Sequence, residues 1–569
     1  MNVLGIHDGH NASACLVVDG RVVYCIQEER LTNRKNYFDF PSRSVKTILA
    51  LADLRPEDVD FVAMGSLHTP KLTGDTTGSY EKQASRLWSL AVEAAMKTPI
   101  YTVYKNRARE ERFRNLRQAS LEGGKAVFVD HHLCHAASAY YGAPWKEEKV
   151  LVLTCDGSGD ELCATVSVGE KGALHKIAET PRGHSLGDIY SRVTFLLGLV
   201  PLEHEWKVMG LAPYSPESGM RKSYDVFTRY LAVDGKGLTF RRSIPEPTQM
   251  IYARLRRDLE LHRFDWISAG VQKFAEDLLM AWVGRAVATT GIRKLAAAGG
   301  VFMNVKANKL LLEMEEVDDL FVFPSCGDES ISIGAAFNVY AQKCRESGRD
   351  VDIPPLADIY YGPDFTDDQV KASILEAERR GLALRYEHVT DMETRVAELL
   401  AKGEIVARCK GRMEFGARAL GNRSILADPS RFECVRTINM MVKKRDFWMP
   451  FAPVIRKERQ EEYIMNPKGT KAPYMILSFD STDRRNEMIA AVHQADLTAR
   501  PQVLEKGWNP AYYAILEEFE RLTGRGVLLN TSFNLHGYPM VYGPDEALWV
   551  FENSDLCYLA LGNYLVTKD

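Results

Sequence analysis

The sequence predicts an α/β protein of two or three domains, the first of them a duplicated α/β fold, on three observations. The chain has 569 residues, more than a single hydrophobic core ordinarily serves. Residues 2 to 30 and residues 149 to 179 share one layout: strand, polar turn, strand, tight turn, strand. A polar, Pro-containing stretch, ESGRDVDIPPLADIYYGPDF at 346 to 365, shows no hydrophobic period and precedes a second α/β unit. The expected domains are 1–350 and 366–569, with 351–365 as linker.

The first repeat, NVLGIHDGHNASACLVVDGRVVYCIQEER, reads as two strands around a Gly-rich turn, with a VDGR hairpin leading to a third. The second, KVLVLTCDGSGDELCATVSVGEKGALHKIAE, repeats this around a DGSGD turn. Two unrelated hairpins would share these signals. Duplication would give the actin-like and sugar-kinase-like architecture, in which a nucleotide lies between the halves. Between the repeats, residues 80 to 120 look helical, and the mixed charges of KNRAREERFRNLR suggest a solvated helix face. Residues 268 to 290 are expected as helix, followed by the strand KLAAAGG and the turn GGVFMNVKAN. Beyond 366, helices are expected near 367–380 and 391–402, followed by the strand EIVARC.

Composition narrows the class. Hydrophobic content of 46% and charged content of 26% are ordinary for a soluble globular chain. A net charge of −4 argues against a protein built to hold nucleic acid. Ten cysteines with no CxxC pair suggest neither a zinc ribbon nor a disulfide scaffold. The N-terminus lacks a basic signal-like region, and no apolar run of about 18 residues is available to span a bilayer. The expectation is a soluble, cytoplasmic protein with no membrane or nucleic-acid partner.

Histidine is scarce, 13 in all, yet three fall within VFVDHHLCHAASAYY, residues 127 to 141. His131 and His135 are four apart and share one face of a helix entered at Asp130, as in other HxxxH metal motifs. His132 lies about 100° round the helix, suited to orienting or packing. Two imidazoles are not a site, and capping the helix or pairing with Asp130 would also account for them. Carboxylates at other strand ends are candidates: Asp156, opening DGSGD, and Asp328 in PSCGDESISIGAA, which is equally an N-cap. Two imidazoles with two carboxylates suit Fe(II), Mn(II) or Zn(II) and leave positions open for oxygen ligands. His10, in GHNASA, has the neutral titration range of a general base, or of a turn histidine bonding backbone. Gly299 and Gly300 allow close approach of backbone to a nucleotide, with Asn304 able to bond ribose or phosphate.

The C-terminal part concentrates basic and amide side chains. GRMEFGARALGNRSILADP, 411 to 429, supplies Arg412, Arg418 and Arg423, and NMMVKKRDFWMPFAP supplies Lys443, Lys444 and Arg445. TARPQ adds Arg500, and VLLNTSFNLHG adds Asn530, Thr531, Ser532 and Asn534 after a strand. Guanidinium forks and ammonium groups in an acidic protein fit a small polyanionic ligand; ordinary surface ion pairs would explain Arg412 or Lys444 singly. No P-loop GxxxxGK[ST] is present.

Several long motifs together resemble a known family. The HxxxH turn, DGSGD, GGVFMN and GDESISIGAA resemble the metal-bearing, actin-like domain of the enzymes that carbamoylate tRNA threonyl-adenosine. GIHDGHNASACLV, EWKVMGLAPY and the chain beyond 400 resemble the O-carbamoyltransferases of antibiotic and nodulation-factor pathways, the family of nodulation protein U and the cephalosporin and aminoglycoside carbamoyltransferases. The resemblance spans nearly the whole chain. It implies a duplicated actin-like (ASKHA, Kae-like) N-terminal domain and a YrdC-like α/β C-terminal domain. It also implies iron held by His131, His135, Asp156 and Asp328, His10 as the catalytic residue, and Lys35 near nucleotide phosphates. In the C-terminal domain it assigns Arg418, Lys443, Arg445, Arg500, Asn530, Ser532 and Asn534 to ATP and carbamoyl phosphate, with Arg423 in the same cluster and Mg expected with ATP. Asn11 stands where the family more often has Asp, removing a charge beside His10; Lys207 lies in a matched motif with no assigned role, and His7 and Asp8 fall in a more variable stretch.

The implied activity is O-carbamoyl transfer through carbamoyl-adenylate to a hydroxyl of a small molecule, with a closed path shielding the intermediate from water. The rival readings are a tRNA threonylcarbamoyl-type transferase, a sugar kinase of the actin-like fold, and a non-catalytic nucleotide-gated binding protein.

Overall fold

In a computed structural model, which describes residues 1–68, 99–121, 125–235, 237–443 and 446–568, the two sequence repeats become two five-stranded sheets. The first is built from β1 (Asn2–His7), β2 (Ser13–Val18), β3 (Arg21–Gln27), β4 (Phe61–Gly65) and β5 (Ala126–Val129), in the order β3-β2-β1-β4-β5. The second uses β6 (Val150–Gly159), β7 (Leu162–Glu170) and β8 (Ala173–Pro181). A short hairpin of β9 (Leu231–Val233) and β10 (Phe240–Arg242) precedes its remaining strands, β11 (Lys294–Ala298) and β12 (Asp319–Val322).

Its order, β8-β7-β6-β11-β12, repeats the first. In each sheet the three leading strands form an antiparallel meander and the last two join parallel to the first. This identity of order and direction is the duplication expected from the hairpin repeat. The DGSGD segment differs from the expected turn. β6 runs on through Gly159 with a register break after Cys155, and the chain reverses at Asp160–Glu161, both at positive φ. A bulge of this kind re-aims side chains at a strand end, and here it frees Asp156 from the ladder.

The helix Phe264–Thr290 covers the segment expected at 268–290. The helix Pro99–Gln118 covers part of the stretch expected as helix, while residues 80 to 98 lie outside the described residues. After β12, the helix Ile331–Glu346 returns to the first sheet and packs on β1 and on the helix His131–Gly142. Two glycines permit this approach: a β-carbon on Gly5 would collide with the Ser332 carbonyl, and one on Gly334 with the Cys134 carbonyl. The chain divides into two compact units, Met1–Glu28 with Asn36–Leu356, and Glu29–Lys35 with Ala357–Asp569. The short segment 29–35, read from sequence as part of the first domain, thus groups with the second; Arg30 donates there to the Gly416 carbonyl at 2.5 Å.

The second unit contains β13 (Arg385–His388), β14 (Val406–Cys409), β15 (Arg423–Ala427) and β16 (Ala452–Arg456). It continues through the small pair β17 (Phe479–Asp480) and β18 (Thr498–Ala499) to β19 (Gln502–Leu504), β20 (Val527–Ser532), β21 (Tyr558–Leu561) and β22 (Tyr564–Thr567). Eight of these form one mixed sheet, β13-β22-β21-β14-β15-β20-β16-β19. Side chains alternate across it. Ala407 and Cys409 enter one apolar cluster with Val370, Ile374 and Phe551, while Val406 enters the other with Val396, Leu400 and Phe519. The helices Asp367–Arg379 and Met392–Lys402 fall where the sequence places them, on opposite faces of this sheet.

Candidate functional site

β5 ends in the first repeat, and Asp130 caps the helix that follows by accepting the Leu133 N–H at 2.9 Å. One helical turn then stacks His131 over His135, both buried. The re-aimed end of β6 brings Asp156 Oδ2 to 3.2 Å from Nε2 of each imidazole. Asp328 opens the turn before the helix Ile331–Glu346, and its Oδ1 lies 3.7 Å from His131 Nε2 and 3.6 Å from His135 Nε2. All four candidate ligands, drawn from strand ends of both five-stranded sheets, present donor atoms within 4.8 Å of one another. Ligand atoms roughly 2.1 Å from a common ion stand about 3.4 Å apart in a tetrahedron, which matches these four His–Asp separations.

The electrostatics favour a cation. Burial opposes charge on His135, yet hydrogen bonding and attraction from Asp156 and Asp328 raise it to about 9. His131 is raised by the same carboxylates against the same burial. Asp156 is held well below the ordinary carboxylate range; burial works against its charge, and the two imidazoles prevail. His132 is pushed well down by burial, bonds Thr154 Oγ1 through Nδ1 at 2.8 Å, and packs against the His131 ring at 5.3 Å between centroids. Gly157 and Gly300 donate their N–H groups to Asp156 Oδ1 at 2.7 and 3.3 Å, leaving Oδ2 for the histidines.

The turn after β1 borders this quartet. His7 Nε2 is 3.0 Å from the His10 carbonyl and 3.9 Å from Asp328 Oδ2, which sets His10 one residue from the candidate ligands. Asn11 sits in the left-handed region at φ 59, a conformation asparagine tolerates, and its amide reaches Glu329 Oε2 at 3.4 Å.

The structure gives other predicted residues the following surroundings. Gly299, at φ 105, makes a close approach to the Cys155 carbonyl, and the Gly300 N–H donates to Asp156 Oδ1; both support the end of β6. Asn304 caps the helix Val305–Glu313 and pairs its amide with Gln272 at 2.9 and 3.0 Å, so both ends of its side chain are committed. Lys35 is exposed and belongs to the second unit. Lys207 is buried in the helix Glu205–Leu211.

In the second unit, a π-helical turn, Asn439–Lys443, delivers a buried Lys443 ammonium to Ser532 Oγ at 3.1 Å and to Asn534 Oδ1 at 2.5 Å. Asn530 shares the face of β20 with Ser532 and donates to the Ala419 carbonyl at 3.1 Å, next to half-buried Arg418. Its buried Oδ1 has no hydrogen-bond partner among the described residues. Lys443, Asn530, Ser532 and Asn534 thus gather at the end of β20, with the loop that carries Arg418 reaching Asn530 through the Ala419 carbonyl. Arg500 follows β18, half-buried, and Arg445 lies outside the described residues. Arg423 corrects the sequence reading. It is fully buried, and its fork donates to the carbonyls of Tyr542, Gly411, Asn422 and Pro363 at 2.9 to 3.5 Å, where phosphate oxygens were expected.

Sequence reasoning missed the frame around both clusters. Arg112, read as part of a solvated helix face, is buried and donates to Asp8 and to the carbonyls of Gly65 and Ser66. Ser66 Oγ lies 3.0 Å from His131 Nδ1, and a β-carbon on Gly159 would collide with the His131 ring. In the second unit, buried Glu414 collects the N–H groups of Leu420, Asn422 and Arg423 through one oxygen, at 2.7, 3.2 and 3.1 Å. Buried Arg408 takes the carbonyls of Lys410 and Gly421 and the Asn422 side chain. Together they fix the loop that carries Arg418. The only sequence signal was a Glu and an Arg flanking a glycine-rich loop.

Comparison with known proteins follows the same two units. The family model described as "Carbamoyltransferase N-terminus" matches residues 2–337, and "Carbamoyltransferase C-terminus" matches residues 397–568. Nodulation protein NolNO of Sinorhizobium fredii is 32% identical over 561 residues, covering 98% of this chain and 79% of its own. Nodulation protein NolO of Bradyrhizobium diazoefficiens is 34% identical over 77% of this chain and 79% of its own. Nodulation protein U of the same organism is 27% identical over 94% of this chain and 92% of its own. The solved structure of component A of (R)-2-hydroxyglutaryl-CoA dehydratase from Acidaminococcus fermentans covers 61% of this chain at 15% identity and a TM-score of 0.33, too loose a likeness to carry an argument. With both family models matched in order along the sequence, this chain belongs to the carbamoyltransferase family.

Proposed function

We propose that this chain is an O-carbamoyltransferase that works by two half-reactions, one in each unit. The observation that carries the reading is the presence of two chemically distinct clusters: a His₂Asp₂ quartet in the first unit and a Lys–Ser–Asn–Arg anion cluster in the second. The second unit, read as a YrdC-like domain, binds ATP with Mg and carbamoyl phosphate. Lys443 and Arg418 offset phosphate charge, and Asn530 Oδ1, without a partner among the described residues, accepts a hydrogen bond from the carbamoyl nitrogen. Water cleaves carbamoyl phosphate to carbamate and inorganic phosphate, and a carbamate oxygen then attacks the α-phosphorus of ATP, displacing pyrophosphate. The products are carbamoyl-adenylate and pyrophosphate. A mixed anhydride with AMP supplies the leaving group that carbamate lacks.

The first unit, read as actin-like, completes the transfer. His131, His135, Asp156 and Asp328 would hold a divalent cation, in this reading Fe(II), which when bound offsets phosphate charge and polarises the carbamoyl carbonyl. His10 takes the proton of the acceptor hydroxyl as the new C–O bond forms and AMP departs. The acceptor in this reading is a hydroxyl of a small sugar or secondary metabolite, and the reaction is placed in the cytoplasm. The test is His10→Ala. Carbamoyl transfer should collapse while carbamoyl-phosphate-dependent pyrophosphate release continues. Equal loss of both in a folded variant would reject the division of labour, and ADP in place of AMP as product would favour a kinase.

A further inference from the structure

Behind His131, on the side away from the carboxylates, the backbone from Gly65 to His68 is captured from two directions. Arg112 donates Nη2 to the Gly65 carbonyl at 2.8 Å and Nη1 to the Ser66 carbonyl at 2.7 Å, with its Nε on Asp8 at 2.8 Å. Asp160 accepts the N–H groups of Leu67 at 2.7 Å and His68 at 2.9 Å. The same carboxylate accepts the N–H of His131 at 2.8 Å. Between these two anchors Ser66 is held in the left-handed region, at φ 66, where serine is disfavoured. Its hydroxyl, buried, lies 3.0 Å from His131 Nδ1.

We propose that Ser66 is a positioning residue of the metal centre, held by Arg112 and Asp160 as the acceptor for the His131 Nδ1 proton. This rests on reading the quartet as a cation site. His131 presents Nε2 to Asp156 and Asp328. A neutral imidazole has one N–H, so coordination through Nε2 requires that proton on Nδ1 and an acceptor for it there. Ser66 Oγ fills that role, fixing both tautomer and ring orientation. Partners of this kind typically govern metal affinity by 10- to 100-fold. Through Asp8, the same guanidinium also anchors the turn that carries His10, so a single buried cation sets the positions of both a ligand and the proposed base.

Ser66→Gly separates this role from a merely structural one. Glycine adopts φ 66 without strain, which offsets the cost of the lost hydrogen bond, so the metal-free variant should unfold close to the wild-type temperature. Its affinity for Mn²⁺ or Zn²⁺, titrated calorimetrically into the full metal-free chain, should fall about 10- to 100-fold. Ser66→Ala, which keeps the β-carbon, should lose the same affinity. Undiminished affinity in Ser66→Gly while wild type binds tightly would overturn the role of Ser66 and leave the cation site standing. A wild-type chain that takes up neither ion would overturn the cation site and this inference with it.

Discussion

Asparagine at position 156 keeps the shape of the side chain and the acceptor for Gly157 and Gly300, and removes only the charge facing the two imidazoles. In the metal-free protein His135 is raised from 6.5 to about 9, against its burial, by Asp156 and Asp328. That rise, net of the opposing burial, corresponds to roughly 3 kcal/mol. Asp156 is the nearer carboxylate, at 3.2 Å against 3.6 Å, so Asp156→Asn should remove the larger part, about 2 kcal/mol. The sign follows from linkage. A histidine raised on folding contributes its stabilisation fully below pH 6.5 and loses it as pH rises through about 9. Asp156, held well below 3.8, stays charged throughout. With a chelator present, the thermal unfolding temperature of Asp156→Asn should therefore lie several degrees below wild type at pH 6 and 7.5, converging towards pH 10. A deficit that is the same at every pH would refute the ion-pair reasoning and leave only a packing defect.

Three further outcomes are expected. Burial raises Glu205 to about 7, against a hydrogen bond from the Leu202 N–H, so its ionisation costs stability as pH rises from 4.5 through 7. Glu205→Gln should match wild type near pH 4.5 and exceed it by up to about 2 kcal/mol at pH 8 in urea unfolding. Glu414→Ala strands three buried N–H groups, and should cost more than about 3 kcal/mol and weaken carbamoyl phosphate binding measured by calorimetry. Gly159→Ala places a methyl group against the His131 ring and should cost about 1–3 kcal/mol and at least a tenfold loss of Mn²⁺ affinity, read by the same titration.

The parts of this molecule that are local in sequence were the parts that could be read. Each three-stranded meander announces itself by short apolar runs separated by a polar turn and a VDG- or EKG-type turn, and the HxxxH pair by helical spacing. That Asp156 and Asp328 meet that pair depends on a strand bulge and on a helix returning to the other sheet, which no spacing encodes; motif resemblance supplied it. Arg112 and Arg423 show the opposite limit. A charged residue in a charged helix looks solvated, and an arginine in a glycine-rich loop looks phosphate-seeking, but backbone carbonyls claim both guanidinium groups. The pairing of Asn304 with Gln272, 32 residues away, likewise leaves no local trace.

The four candidate ligands have a temporal consequence. His131 and His135 emerge from the ribosome almost two hundred residues before Asp328, and the helix behind Asp328 must dock on the opposite sheet before the donor set closes. A cation held there would act as a latch across the duplication, seated last and reporting that both halves have folded. An N-terminal fragment ending before residue 328 would have the histidines and no latch.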